Sequence, residues 1–224
     1  MRSSEKLGSV RVGEEFPRNL MDFLDQFGTD ETCLGYLSEV RWPDGFICPV
    51  CGSRDGWATA RNTMYCRGCD RQTSPTAGTI LHNSRTPVRK WFVAVWLLCT
   101  QKTGVSAKTL QRELNVGYKT AWLMLRKLRR ATVCAERGLL RGTVEVDETY
   151  VGGAESGVGG RELVGKALVA IAVELEGKKV GRIRMQHVPN ASGKSLVEFI
   201  TDSVENGSKV HTDDWNGYNG VKAA

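Results

Sequence analysis

The chain has 224 residues, 41% hydrophobic and 25% charged, which allows one large domain or two or three modules and excludes a disordered chain. Residues 1–20 lack the apolar core of a secretory signal, and the longest strongly apolar stretch, Trp91 to Cys99, is too short to span a bilayer. A soluble, cytoplasmic protein without a membrane partner is expected. Net charge is +6, yet thirteen Lys or Arg stand against two Glu between Arg85 and Arg141, so that segment holds all of the positive excess. Such concentration is the footprint of a nucleic-acid-binding module.

Residues 1–40 read as an N-terminal helical segment. Phe23, Leu24, Phe27, Leu34 and Leu37 recur at helical spacing, and Gly28-Thr29 divides the pattern into two short helices.

Residues 41–84 are rich in Gly, Cys and turn formers. Four of the seven cysteines form two C-x-x-C pairs, Cys48/Cys51 and Cys66/Cys69, fourteen residues apart. Each pair sets two thiolates on one knuckle, with Gly52 and Gly68 expected to permit the turn. Four sulfurs suit a tetrahedral zinc ion and leave no open coordination position, so the zinc would be structural. Trp57-Ala-Thr and Met64-Tyr65 read as strands of a zinc ribbon. Cys33, Cys99 and Cys134 read as small core residues or free thiols.

Residues 85–141 read as a three-helix, helix-turn-helix domain. Thr86 is the expected N-cap with Pro87 at the first helical position, and Val88, Trp91, Phe92, Val95 and Leu98 form the inner stripe. Ser106 starts a second helix with Ala107, Leu110 and Leu114 inward. Asn115-Val-Gly117 is the turn, and a third helix runs from about Tyr118 to Ala131. There Ala121, Leu125 and Leu128 are the buried stripe. Lys119 and Thr120 lie at the end that enters a DNA major groove, and Arg126, Lys127, Arg129 and Arg130 remain for phosphates.

Residues 142–224 change to β-branched runs broken by glycine. The order is a strand ending near Asp147, strands over 167–175 and 180–188, a helix capped by Ser192, and a short strand ending near Asp213. In ribonuclease-H-like folds the fourth strand lies beside the first, which would bring Asp147 and Asp213 together. Converging carboxylates repel unless cations sit between them, so this pair is the expected site of catalytic magnesium or manganese, with Glu145, Glu148 and Asp214 as competing ligands. The stretch from Gly152 to Gly160 lacks the Lys-Ser or Lys-Thr of a P-loop and reads as a hairpin loop meeting DNA through Arg161 and Lys166. The fold class is thus multidomain α+β.

Four stretches together resemble bacterial insertion-sequence transposases that join a zinc ribbon to an integrase-like catalytic domain: residues 41–53, residues 74–79, Val146-Asp-Glu-Thr-Tyr-Val-Gly-Gly153 and Thr212-Asp-Asp-Trp-Asn-Gly-Tyr218. The resemblance implies a DDE-type enzyme, nucleoid-associated, that cuts element ends and joins them to target DNA as a homo-oligomer. Asp147 matches its first catalytic acid and Asp213 its second. The family's third position lies on a helix beyond the second Asp, and eleven residues follow Asp213. The expectation is an incomplete, C-terminally truncated catalytic domain, or a third ligand donated by another chain. The alternatives are a non-enzymatic zinc-ribbon and helix-turn-helix regulator, and a metal-dependent nuclease.

Overall fold

The computed structural model describes residues 16–133, 138–153, 165–177, 179–213 and Tyr218. Two compact units divide the chain, residues 1–134 and 135–224.

In the first unit, α1 (Leu20–Gln26) and α2 (Asp30–Arg41) are separate helices because each has its own cap. The Asn19 side chain accepts from the Met21 and Asp22 amides, and Thr29 and Thr32 exchange reciprocal 3.2 Å bonds that close a capping box. Phe23, Phe27 and Cys33 form a buried cluster against Tyr36, Phe92 and Trp96, so Cys33 is a core residue. Burial pushes its thiol up to about 11.

A three-stranded antiparallel ribbon follows, β1 (Gly56–Ala58), β2 (Met64–Cys66) and β3 (Gln72–Thr73), the last unseen in the sequence. The guanidinium of Arg41, at the end of α2, donates to the carbonyls of Ser74, Pro75 and Ala77 and ties down the chain beyond the ribbon.

Helices α3 (Val88–Thr100), α4 (Ala107–Leu114) and α5 (Tyr118–Ala131) complete the unit. Pro87 is the N-cap of α3 rather than its first residue: its ψ of 139° is extended, and the Thr86 amide donates to Ser84 Oγ. Ser106 caps α4, and Asn115 takes the left-handed conformation that ends it. Leu110, Leu114, Ala121, Met124, Leu125 and Leu128 bury together with Trp91 and Ala94. Val95, expected inside, is 43% exposed, and Cys99 is also exposed. Cys134 lies outside the described residues.

The second unit is a mixed sheet in the order β6-β5-β4-β7. Strands β4 (Thr143–Val151), β5 (Ala167–Glu176) and β6 (Lys179–Val188) are antiparallel, and β7 (Lys209–His211) runs parallel to β4. Parallel neighbours need a crossover, which α6 (Gly193–Ser203) supplies. Leu196, Phe199 and Ile200 of that helix cover Val144, Val146, Leu168, Ala170 and Ala172. The alternation along β4 leaves Glu145 and Asp147 on the other, exposed face. Among the described residues no helix is long and apolar enough to cross a membrane.

Candidate functional site

The zinc-ribbon cysteines converge. The ligand atoms of Cys48, Cys51, Cys66 and Cys69 lie within 4.8 Å of one another, with Cys48 to Cys69 at 3.7 Å and Cys51 to Cys66 at 3.5 Å. Tetrahedral zinc with ~2.3 Å bonds requires sulfurs about 3.8 Å apart, so the donor set fits. The knuckles are built alike, by Gly52 as expected in the first but not by Gly68 in the second. Gly52, just after Cys51, has φ +73°, and the equivalent place after Cys69 is taken by Asp70 at φ +55°. Asp70 is held there by Tyr65, whose hydroxyl donates to its Oδ1 at 2.7 Å. Gly68 serves close approach instead: a Cβ there would sit 3.0 Å from Ser53 Cβ on the opposite knuckle. Backbone N–H groups of Cys51 and Val50 aim at Cys48 and lower its thiol to about 6. Arg71 N–H favours the Cys69 thiolate, yet burial and the other three sulfurs outweigh it and push that thiol up to about 12. Four sulfurs this close share their charge well only around a cation.

In the second unit the last β4–β7 partners are Glu145 and His211. Asp147 stands two residues beyond this pair within β4, and Asp213 two residues beyond it, after the end of β7. The Asp147 carboxylate accepts from the Glu148 amide at 2.8 Å, which fixes its orientation. Glu148 lies on the partly buried side of β4, and its carboxylate accepts from the hydroxyl of buried Tyr218. Burial raises the Tyr218 pKa first, followed by that hydrogen bond and the charges of Glu148, Asp213 and Asp147. Glu145 is exposed beside His211, whereas Asp214 lies outside the described residues. Residues 154–164 of the Gly-rich loop, Arg161 included, are also outside them. Gly152 and Lys166 frame its base, where β4 and β5 pair.

On α5, Lys119, Arg126 and Arg130 are exposed, and Thr120 is partly covered. Lys127 and Arg129 are exposed but engaged: Lys127 Nζ donates to the Ile80 carbonyl at 3.0 Å, and Arg129 to that of Val105 at 3.2 Å. Two aromatic residues escaped the sequence reading. Tyr118 is 46% and Trp122 44% exposed, with Lys108 over the first ring and Arg126 over the second. Their spacing, four residues apart and in line with Arg126, marks one outward face and was available in the sequence. An apolar cavity of about 560 Å³ beside Phe23, Phe27, Phe92 and Trp96 offers almost no polar group and no chemistry.

Residues 28–72 match the transposase zinc-ribbon domain, and residues 139–224 match the ISXO2-like transposase domain. A relative described as an uncharacterized protein in transposable element ISH50 of Halobacterium salinarum is 33% identical over 140 residues, 61% of this chain and 46% of that protein. The chain thus spans about half the length of the curated relative it matches. No solved structure matches.

Proposed function

We propose that this chain, matched over residues 28–72 and 139–224 by transposase domains, is an IS1595-type transposase that binds the duplex ends of its element and cuts and rejoins them by metal-dependent phosphodiester chemistry. The observation that supports the catalytic part is the β4–β7 register, which leads beyond Glu145 and His211 to Asp147 on β4 and to Asp213 two residues after the end of β7. The strand order, three antiparallel strands with a fourth parallel to the first, supports a ribonuclease-H-like reading of the domain.

Carboxylates are hard oxygen donors, which suit magnesium or manganese. Asp147 and Asp213 would hold these ions, which when bound supply Lewis acidity at the scissile phosphate and activate a water or a 3′-hydroxyl. The Glu148 amide holds the Asp147 carboxylate in place, and the Tyr218 hydroxyl occupies Glu148 on the neighbouring side of the strand. Lys119 and Thr120 open the helix that meets the major groove, while Arg126 and Arg130 take phosphates. Lys127 and Arg129 fix α5 to its own unit before they meet DNA. Cys48, Cys51, Cys66 and Cys69 would hold a zinc ion that closes the ribbon and leaves no coordination position open for the reaction. Copies assemble on paired ends at the nucleoid.

The test is incubation of the chain with labelled duplexes carrying its element ends, plus magnesium or manganese. Nicks at the element boundary that disappear in Asp213→Asn, with duplex binding kept, are expected. Nicking that survives Asp213→Asn removes that carboxylate from the mechanism. Binding without product under either metal leaves a DNA-binding regulator.

A further inference from the structure

The zinc ribbon carries a surface that metal binding does not require. In the β1–β2 hairpin, Gly56 pairs with Cys66 and faces inward, where a Cβ would meet the Phe46 ring at 2.7 Å. The next pair, Trp57 with Tyr65, therefore faces outward. Their ring centroids are 4.6 Å apart, and Trp57 remains 46% exposed. The Arg67 guanidinium stands over the Trp57 ring, 5.3 Å from its centroid. Gln72 pairs with Tyr65 and extends the row across all three strands. Arg54, Arg61 and Arg71 of the ribbon are exposed as Arg67 is. Two of the ribbon's aspartates are engaged, Asp55 in a loose 3.8 Å pair with Arg67 and Asp70 by the Tyr65 hydroxyl.

An exposed aromatic pair with an arginine over one ring has two physical readings. As a cross-strand pair it adds about 0.2–1 kcal/mol to a small hairpin, and would do so with any large apolar partner. As a binding surface, it offers flat rings for stacking and mobile guanidiniums for phosphates. A protein partner fits poorly, since interface centres are depleted in charge. Duplex DNA presents base edges in its grooves, whereas base faces are open only in separated strands. We propose that the outer face of the zinc ribbon, through Trp57, Tyr65 and Arg67, is a second DNA-binding surface that stacks unpaired bases and holds their phosphates. Unpaired bases arise at ends being opened and cut, a setting that rests on the function proposed above. The surface itself does not depend on helix α5.

The experiment measures fluorescence anisotropy of the full, zinc-loaded chain with a short single-stranded oligonucleotide and, separately, the matching duplex. Trp57→Leu keeps an apolar contact with Tyr65 but removes the stacking face, and Trp57→Phe keeps one. Zinc content is measured for each variant. The Leu variant should bind the single strand about tenfold more weakly or worse, and the Phe variant near the parent, with duplex affinity within about twofold for both. Paired Arg126→Ala and Arg130→Ala substitutions should do the reverse. Equal single-strand affinity for parent, Leu and Phe chains would overturn the proposal, as would a fully zinc-loaded parent that binds no single strand. Absent duplex binding counts against α5 alone, because the single-strand arm reads the ribbon separately.

Discussion

Replacing Arg182 with alanine strands a buried carboxylate. The alternation of β5 sends Glu174 to the covered face of the sheet, in line with Leu168, Ala170 and Ala172, where it is 6% exposed. It accepts from Arg182 Nε at 2.6 Å, Arg182 Nη2 at 2.9 Å and the Arg141 amide at 3.1 Å. Arg182 also donates to the carbonyls of Gly138 and Leu139, so one side chain ties the entry of the unit to two strands. Removing one partner of a buried pair costs about 3–5 kcal/mol. Because the Arg182 side chain is 42% exposed and the Arg141 amide remains, solvent relief brings the expected penalty to about 2 kcal/mol. The Arg182 hydrogen bonds, against the opposing effect of burial, hold the Glu174 pKa at about 2 rather than 4.5. A depressed carboxylate pKa gives stability that is fully present above 4.5 and lost as pH falls through about 2. The gap between parent and Arg182→Ala should therefore close over that window. Hydrogen exchange of β4, β5 and β6 peptides in urea reads this unit by itself. A penalty under about 0.5 kcal/mol at neutral pH, or one unchanged at the acid end, would refute the reasoning.

Chelating the zinc should unfold the ribbon and expose four further thiols to alkylation, counted by mass, while Cys33 stays protected by its core. Replacing Arg126 and Arg130 together should reduce the slope of log affinity against log salt by about 2 on duplex DNA. Lys127→Ala should instead lower the melting temperature through its lost bond to Ile80, with less change in that slope. Tyr218→Phe leaves the ring but removes a buried donor to Glu148, and should destabilise the second unit by about 1–2 kcal/mol in a thermal melt.

What the sequence reveals here is periodicity and spacing. The bounds of α5, the caps Ser106 and Ser192 and the order of elements along the second unit follow from local patterns, and the structure repeats them. The four cysteines are equally plain, because two C-x-x-C knuckles need no distant information. Tertiary partners were out of reach. Lys127 and Arg129 look like free phosphate ligands until Ile80 and Val105, distant in sequence, supply carbonyl acceptors. Asp70 takes the turn expected of Gly68 because Tyr65 holds its carboxylate and because Gly68 is needed for knuckle contact. Thr86 loses the helix cap because Pro87 is extended. Tyr218 stands in a motif, yet its grip on Glu148 depends on how β4 and the chain after β7 meet.

The proposed function requires that Asp147 and Asp213 act together in DNA strand transfer. The most direct measurement is joining of labelled, pre-cleaved element ends to a plasmid by the parent, Asp147→Asn and Asp213→Asn chains in magnesium or manganese. Joined product from the parent alone, with all three chains binding the ends equally, is the predicted result. Product from either Asn variant at the parental rate would contradict the account.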